Sequence, residues 1–277
     1  MNADDIAFLA HVVRRRSGQM LPVHKPHLIE GRLAKVMRRF GFRSVDALVQ
    51  ELRHRRDALA RAVTEAMTTN ESSFFRDRAA FDQFRDHLLP RLMEDRAATK
   101  HLRIWSAACA GGQEAYSIAM LLDEQKLAAQ GWSIDFFATD LSAEMIARAE
   151  EGLYSNFEVQ RGLPIRRLVT HFRQESDGNW RVQENLRRMV TFRQFNLLDS
   201  FGWLDDLDVV FCRNVLIYFD RKTKIQVLDK IAETLAPDGA LLLGHSETVH
   251  GLSNAFVPAG APGLYVRNKA AAQRLAS

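Results

Sequence analysis

From residue 102 onward, apolar strands alternate with amphipathic helices, and this alternation constrains the fold more than any other feature of the chain. Strands are predicted at LRIWSA (102–107), IDFFATD (134–140), VTFRQFN (190–196), DVVFCRN (208–214), GALLLGH (239–245) and GLYVRN (263–268). Helices are predicted between them at 114–125, 142–151 and 223–235. Such alternation predicts a parallel sheet covered by helices. The last two strands are joined by a stretch rich in Gly, Pro, Ser and Asn, which favours an antiparallel pair.

Residues 1–67 are different, because their pattern predicts four short amphipathic helices. The second, from about Pro26 to Phe40, has a basic face, which carries Arg32, Lys35, Arg38 and Arg39. Residues 1–70 contain 13 Lys or Arg against 7 Asp or Glu, whereas the remainder contains 25 against 27. This asymmetry favours an acidic partner for the helical part. Charge alone leaves open the simpler interpretation that these are well-solvated helices.

The composition argues against several classes of protein. With 47% hydrophobic and 26% charged residues the chain has an ordinary soluble composition. The sequence contains no apolar run near the ~20 residues that span a bilayer. At the N-terminus acidic residues precede the apolar stretch and arginines follow it, the reverse of a secretory signal. Two cysteines, Cys109 and Cys212, cannot build a disulfide framework. We therefore expect a cytoplasmic protein.

A candidate nucleotide site follows the first strand, where the segment CAGG leads into a helix near Gln113. Gly111 and Gly112 let a ligand approach the backbone, and Asp140, which ends the second strand, is placed to accept ribose hydroxyls. Each feature alone is common in turns and helix caps, but the pair is more specific. The segment is not G-x-G-x-x-G, which weakens a dinucleotide interpretation. By analogy of fold, the reversed last strand favours a methyltransferase that uses S-adenosylmethionine.

From about residue 5 to 268 the chain resembles the CheR family of chemotaxis receptor methyltransferases. The motifs that carry the resemblance are TTNESSFFRD (68–77), SAACAGGQEAYSIAM (106–120), FATDLS (137–142), FNLLD (195–199), FCRNVLIYFD (211–220) and GHSE (244–247). The resemblance implies an α/β fold: a Rossmann-like class I methyltransferase domain with a mostly parallel seven-stranded sheet, a reversed last strand and a small β-hairpin insertion. It also implies three parts: a helical receptor-recognition domain (1–67), a linker and helix (68–100), and a catalytic domain (101–277) with the insertion at about 172–189.

The resemblance implies transfer of a methyl group from S-adenosylmethionine to glutamate carboxylates of chemoreceptors, giving methyl esters and S-adenosylhomocysteine. A glutamate with a pKa near ~4.3 arrives ionised, so no general base and no metal is expected. The family pattern assigns the cofactor pocket to Asn70, Ser72, Arg76, Glu114, Asp140, Asn196, Leu197, Arg213 and Asn214. Arg76 and Tyr218 are the candidates for orienting the acceptor carboxylate. Arg32 and Arg38 match basic positions of the family's receptor-facing helix.

The chain also departs from the family pattern. Gln113 and Ala115 replace the usual Glu and Pro, and Ala110-Gly111 replaces Ser-Thr, so a looser turn with fewer hydroxyl contacts is expected. The insertion has a single glycine and looks short, which favours an enzyme that does not use a peptide tether on its receptor.

The expected partner is the cytoplasmic helical domain of methyl-accepting chemoreceptors, which the protein binds transiently at membrane-bound receptor arrays. The protein is expected to be a monomer that does not insert into the membrane and does not bind nucleic acid. Two alternatives stay open. The first is a nucleic-acid methyltransferase, although no Pro-Pro-Tyr, Pro-Pro-Phe or Pro-Cys sequence is present. The second is a non-catalytic module that senses the cofactor, against which the set Arg76, Asp140 and Tyr218 argues.

Overall fold

The N-terminal part of the protein consists of helices only. The structure, a computed structural model, describes residues 2–54 and 57–268. Its first helices are α1 (Ala3–Ser17), α2 (Pro26–Phe40), α3 (Val45–Arg53) and α4 (Asp57–Met67). They enclose a small apolar core of their own, to which Leu9, Leu33 and Val63 contribute fully buried side chains. The apolar stripes predicted from the helical period therefore face one another.

Local sequence signals set the bounds of these helices. Asn2 and Asp5 form a reciprocal capping box at the start of α1, and Ser44 caps α3. The helices α1 and α2 both end at a glycine in the left-handed conformation, Gly18 at φ 74° and Gly41 at φ 76°. A residue with a Cβ is strained in that conformation, so glycine is the favoured helix stop.

A second helical run leads into the part of the chain that contains the main sheet. It comprises α5 (Arg78–Gln83), a π-helical turn (Phe84–Leu88) and α6 (Leu89–Asp95). Pro90 has no N–H to donate to the preceding turn, and the Leu89 N–H bonds instead to the carbonyl of Phe84, five residues earlier. Phe81 and Phe84 from this run pack on Phe211 of the sheet.

Strands and helices alternate through the rest of the described chain. In chain order they are β1 (His101–Ala107), α7 (Gln113–Glu124), β2 (Ser133–Asp140), α8 (Ala143–Glu151), β3 (Leu153–Tyr154), α9 (Asn156–Gln160), α10 (Ile165–His171), β4 (Phe172–Gln174), β5 (Trp180–Val182), α11 (Glu184–Met189), β6 (Val190–Gln194), β7 (Leu207–Cys212), α12 (Arg221–Thr234), β8 (Leu235–Leu243), β9 (Phe256–Pro258) and β10 (Leu264–Arg267). A short 3₁₀ turn, Leu216–Tyr218, follows β7.

The main sheet has seven strands in the order β6-β2-β1-β7-β8-β10-β9. The first five are parallel, and β10 runs antiparallel to both of its neighbours. This confirms the predicted fold class, including the reversed strand. The strand β9 was not predicted as such, because its three residues lie within the Gly- and Pro-rich connection. Apolar side chains fill both faces of the sheet, in two separate clusters.

A smaller sheet, β3-β5-β4, lies between β2 and β6 in the chain. The hairpin of β4 and β5 turns at Asp177-Gly178, as expected, with Gly178 at φ 85°. Only residues 172–182 of the expected insertion belong to it, however. Residues Glu184–Met189 form α11, and the third strand, β3, comes from earlier in the chain. The unit inserted between α8 and β6, residues 153–189, is thus a mixed α/β unit rather than a hairpin alone, and it is called the insertion below.

Candidate active site

A cleft of about 820 Å³, its open mouth included, lies at the carboxyl ends of β1, β2 and β7. In a parallel sheet this edge is where small ligands bind. All ten residues predicted for cofactor and acceptor lie in its wall: Asn70, Ser72, Arg76, Glu114, Asp140, Asn196, Leu197, Arg213, Asn214 and Tyr218. The remaining walls come from the linker after α4 and from the end of α1.

Three residues of the cleft wall are strained. Ala108, Ala110 and Asn214 have φ values of 64°, 48° and 57°, in the left-handed region that non-glycine residues avoid. Such strain persists only where the surroundings impose it, and it concentrates at functional sites. Here the strained residues let the turn after β1 and the turn after β7 expose backbone groups to the cleft.

The turn after β1 is held on two sides, although a looser turn was expected. The Ala110 N–H donates to Asp140 Oδ2 at 2.9 Å, and the Tyr154 hydroxyl donates to the carbonyl of Gly111 at 2.6 Å. At Gly112, with φ 90°, a Cβ would lie 2.9 Å from the Cβ of Ala149. The close approach of α7 to α8 therefore requires glycine at this position.

Asp140 ends β2 with a buried carboxylate. Its Oδ2 accepts from Ala110, and its Oδ1 accepts from the Ser142 N–H at 2.9 Å. Burial raises the pKa of this carboxyl, and the two backbone hydrogen bonds partly oppose the rise. Each carboxylate oxygen has two acceptor lone pairs, and each uses one here. Two acceptor positions are therefore left, which matches the two hydroxyls of a ribose.

Glu114 and Arg213 form a buried ion pair beneath the cleft. Arg213 Nη1 donates to Glu114 Oε2 at 2.9 Å, and the Ser106 hydroxyl donates to Glu114 Oε1 at 2.8 Å. Burial raises the pKa of Glu114, and Arg213 opposes that rise. Arg213 Nη2 also donates to the carbonyl of Arg76 at 2.6 Å, which ties the linker to β7. Glu114 thus fixes the position of Arg213 in the cleft wall.

The turn after β7, which contains Asn214, is held by hydrogen bonds to Glu247. The sequence had indicated no role for Glu247. Glu247 Oε2 accepts from the N–H groups of Asn214 at 2.7 Å and Gly244 at 2.8 Å, and its Oε1 accepts from that of Ile217 at 3.2 Å. One carboxylate thereby joins the ends of β7 and β8 to the 3₁₀ turn that carries Tyr218. The motif GHSE was the available signal, but it did not reveal these partners.

The helical part contributes directly to the cleft through Ser17 and Gln19, which the sequence analysis also missed. Asn196 Nδ2 donates to the carbonyl of Arg16 at 2.6 Å, so this predicted cofactor residue also anchors the end of α1. The Met20 N–H donates to the carbonyl of Tyr218 at 2.8 Å. The cleft is therefore complete only when the helical part is docked.

The predicted partner-binding residues of α2 have different surroundings. Arg32 is half-buried and donates to the carbonyl of Met67 at 2.6 Å and to the Thr69 hydroxyl at 2.9 Å. Lys35 pairs with Glu144 of α8. Arg38 and Arg39 are exposed. The periodicity placed all four on one outward face, but two of them bind neighbouring parts of the same chain.

The residues present fit S-adenosylmethionine, the cofactor that the resemblance implies. Asp140 offers two acceptor positions, as described above. Arg213 belongs to the cleft wall, and its buried Nε has no hydrogen-bond partner among residues 2–54 and 57–268, which is unusual for a donor unless a ligand group completes it. An adenosine with a charged amino-acid tail requires such a combination of acceptor and donor.

Comparisons with known proteins identify the family of this chain. The family model described as CheR methyltransferase, SAM binding domain, matches residues 70–263, and the model described as CheR methyltransferase, all-alpha domain, matches residues 4–68. A chemotaxis protein methyltransferase of Pseudomonas aeruginosa is 39% identical over 272 residues, 97% of this chain and 98% of that protein. Another, of Vibrio parahaemolyticus, is 40% identical over 243 residues, 86% and 87% of the two chains.

A third relative, a chemotaxis protein methyltransferase of Pseudomonas putida, is 39% identical over 248 residues, 88% of this chain and 90% of that protein. No helix within residues 2–54 and 57–268 is long and apolar enough to cross a membrane. The two family models together span nearly the whole described chain, and the relatives match it nearly end to end. The chain therefore belongs to the CheR family of methyltransferases, which bind S-adenosylmethionine.

Proposed function

We propose that this protein transfers a methyl group from S-adenosylmethionine to glutamate side chains of chemoreceptors, forming glutamate methyl esters. The observation that carries the proposal is the state of Arg76 and Tyr218 in the cleft wall. Arg76 is half-buried, and within the described residues it donates only to the carbonyl of Glu71, at 2.7 Å, and pairs with no carboxylate. Tyr218 likewise has no partner there for its hydroxyl. A planar guanidinium and one hydroxyl are well suited to an incoming carboxylate.

The other cleft residues hold the cofactor in this proposal. S-Adenosylmethionine supplies a methyl group on a positively charged sulfur; transfer to a carboxylate oxygen forms one O–C bond, breaks one C–S bond and leaves a neutral ester and a neutral thioether. Asp140 accepts from the ribose hydroxyls, and Arg213 Nε donates to the carboxylate of the amino-acid tail. The remaining wall residues exclude water around them: Asn70, Ser72, Glu114, Asn196, Leu197 and Asn214.

The acceptor needs orientation rather than activation. A glutamate is ionised at neutral pH, because its usual pKa is about 4.3, so no group has to remove a proton. Arg76 and Tyr218 then align the carboxylate with the methyl group at about 3–3.5 Å and replace the water around it. Both donors must hold the carboxylate loosely enough to leave it nucleophilic. This requirement suits a mouth residue such as Arg76 better than a buried one.

The proposed partner is the cytoplasmic helical domain of a chemoreceptor. The relatives' names place them in chemotaxis. The excess of basic residues in the helical part supports an acidic partner, since complementary charge speeds encounter. Arg38, Arg39 and Lys35, the exposed cations of α2, are the candidates for that contact, although Lys35 pairs with Glu144 in this structure. Arg32 is half-buried and binds the linker instead.

The experiment is transfer of labelled methyl to the cytoplasmic fragment of a chemoreceptor from the same cells, followed by an alkaline wash. Carboxyl methyl esters hydrolyse readily in base, whereas N-methyl groups do not, so we expect label on the fragment that base removes. Nuclease treatment serves as the control and should leave the label unchanged. Label that resists base would exclude glutamate as the acceptor, and loss of label with nuclease would favour a nucleic-acid substrate.

A further inference from the structure

Two large apolar side chains beside the cleft, Met20 and Ile217, are exposed to solvent. Met20 is 56% exposed and Ile217 43%. We name these two residues the apolar rim. Single exposed apolar residues are ordinary, but an adjacent pair at the edge of a cleft commonly marks a binding surface.

Backbone contacts locate the apolar rim at the cleft. Gln19 and Tyr218 both lie in the cleft wall. Met20 directly follows Gln19, and Ile217 directly precedes Tyr218. The two segments are joined by the hydrogen bond from the Met20 N–H to the Tyr218 carbonyl at 2.8 Å and by the antiparallel bridge of Gln19 with Phe219. The rim therefore borders the residue that is proposed to orient the acceptor.

A helix that delivers a glutamate to Tyr218 has to cover this border. The glutamate side chain is short, so the helix that carries it lies against the mouth of the cleft. Side chains one turn before and after the glutamate, at three and four positions, are about 5–6 Å away along the same face. Those neighbours meet whatever surrounds the mouth, and on the side of Met20 and Ile217 that surface is apolar.

The charges around the apolar rim indicate the rest of the partner's chemistry. Residues 14–29 contain four Lys or Arg and no Asp or Glu. Exposed cations flank the rim on both segments: Arg14, Arg15, Lys25, Arg221 and Lys222. Asp220, close to them, is already paired with Arg14 at 2.5 Å. A helix with an apolar stripe and acidic flanks complements this surface.

We infer that the apolar rim binds the apolar stripe of the acidic helix that carries the acceptor glutamate. The inference rests on the proposed function and adds to it a rule of specificity. Apolar side chains one turn from a glutamate select that glutamate for methylation, while the surrounding cations attract the helix. The rim is thus a substrate-binding surface separate from the basic face of α2.

The test compares Met20→Ser combined with Ile217→Ser against a matched control, Ile165→Ser with Val169→Ser. The control residues, 72% and 62% exposed, lie on α10 in the insertion. Removing two apolar contacts should raise the KM for the receptor fragment on the order of ten-fold, with kcat and the Kd for S-adenosylhomocysteine unchanged. The control pair should leave all three constants as in the unmodified protein.

A second measurement does not depend on catalysis. Cys109 and Cys212 are buried, so a thiol introduced by Met20→Cys is labelled selectively by an environment-sensitive fluorophore. Addition of the receptor fragment should shift its emission to the blue, whereas a label introduced by Val169→Cys should not respond.

Three outcomes would overturn the inference. Base-labile methylation with an unchanged KM in the Met20/Ile217 variant and no shift at Met20→Cys would leave the proposed function intact and remove the rim from substrate binding. A shift that depends on enzyme concentration without receptor would identify a second copy of this chain as the occupant. Absence of base-labile label with the unmodified protein would remove the proposed function and the inference together.

Discussion

Arg213 organises the charges of the cleft through one buried guanidinium. It neutralises Glu114, holds the carbonyl of Arg76 and lies over the ring of Phe81, with its Nε left for a ligand. A buried pair of this kind contributes little net stability, because desolvation offsets the attraction, but it fixes geometry. The carboxylate of Glu114 is thereby paired with Arg213 inside the protein. The side chain of Arg76 is left at the mouth of the cleft, where it can bind a ligand.

Arg76→Ala tests the role of that available cation. The Arg213 bond to the backbone of residue 76 survives the change, so the linker keeps its path and the Kd for S-adenosylhomocysteine should change little. Methyl transfer should fall about 100-fold in kcat, since one preorganised donor is typically worth that much. Steady-state kinetics with the receptor fragment measure it. Arg78→Ala, two residues on and 76% exposed, is the control. Equal kcat values for the two variants would refute the role of Arg76.

At the residue scale, motifs predicted the wall of the cleft but not its supports. Asp140 was recognisable because it ends a strand at a distance typical of ribose-binding acids. Glu247 was not, because its partners Asn214 and Ile217 are 33 and 30 positions away and meet it only through the neighbouring strands β7 and β8. Arg32 shows the converse. The helical periodicity placed Arg32 on the correct face of α2, but no pattern in the sequence indicates that the linker covers this residue.

At the scale of elements, the linker between the two domains is clamped from three sides. The rings of Tyr154 and Phe172 meet Phe74 edge-on at 5.0 and 5.5 Å, and the Ser117 hydroxyl accepts the Phe75 N–H at 3.0 Å. Gly162, in the loop after α9, lies so close that a Cβ there would be 2.1 Å from the Phe74 carbonyl. The insertion therefore supports the segment that carries Asn70, Ser72 and Arg76.

Gly162→Ala should displace that segment. The new Cβ overlaps the Phe74 carbonyl, a backbone atom that can move only with the linker. We expect the Kd for S-adenosylhomocysteine, measured by calorimetry, to rise about ten-fold or more, since small misplacements of binding groups are costly. Gly178→Ala is the matched control: its φ of 85° resembles the 88° of Gly162, but no described residue outside its chain neighbours lies within 4 Å of the added Cβ. A Kd for Gly162→Ala no higher than that for Gly178→Ala would refute the role of the clash in cofactor binding.

Periodicity predicted the long elements well and the short ones poorly. The helix α2 begins and ends where its Pro26 and Gly41 signals place it. The strands β3 and β9 have only two and three residues, too few for an alternating pattern, and pairing with neighbours defines them. The helices α9 and α10 are five and seven residues long, and isolated helices of that length are not stable in water. Packing against the rest of the insertion stabilises such segments. A short stretch of sequence does not contain the residues that provide this packing.

At the scale of the whole molecule, the cofactor site depends on how the helical part docks on the sheet. The contact centres on the end of α1, where Gly18 packs against α12 and the residues beside it bond to Asn196 and Tyr218. Arg14 pairs with Asp220, which caps α12. A shift of α1 would therefore move Ser17 and Gln19 in the cleft wall, the apolar rim and the 3₁₀ turn together.

Alanine substitutions at two similar helix-ending glycines distinguish the effect of docking from the effect of local helix stability. Gly18 and Gly41 end α1 and α2 with nearly the same φ, but a Cβ on Gly18 would lie 2.7 Å from Thr223 Cγ2. A Cβ on Gly41 would meet no other part of the described chain within 4 Å. Gly41→Ala should cost about 1–2 kcal/mol in the free energy of unfolding, from strain alone, and leave cofactor affinity unchanged. Gly18→Ala should cost more in urea denaturation and weaken S-adenosylhomocysteine binding. Adding Thr223→Ser, which removes the opposing methyl group, should restore part of both. If Gly18→Ala matched Gly41→Ala in stability and affinity, docking at α12 would not control the cleft.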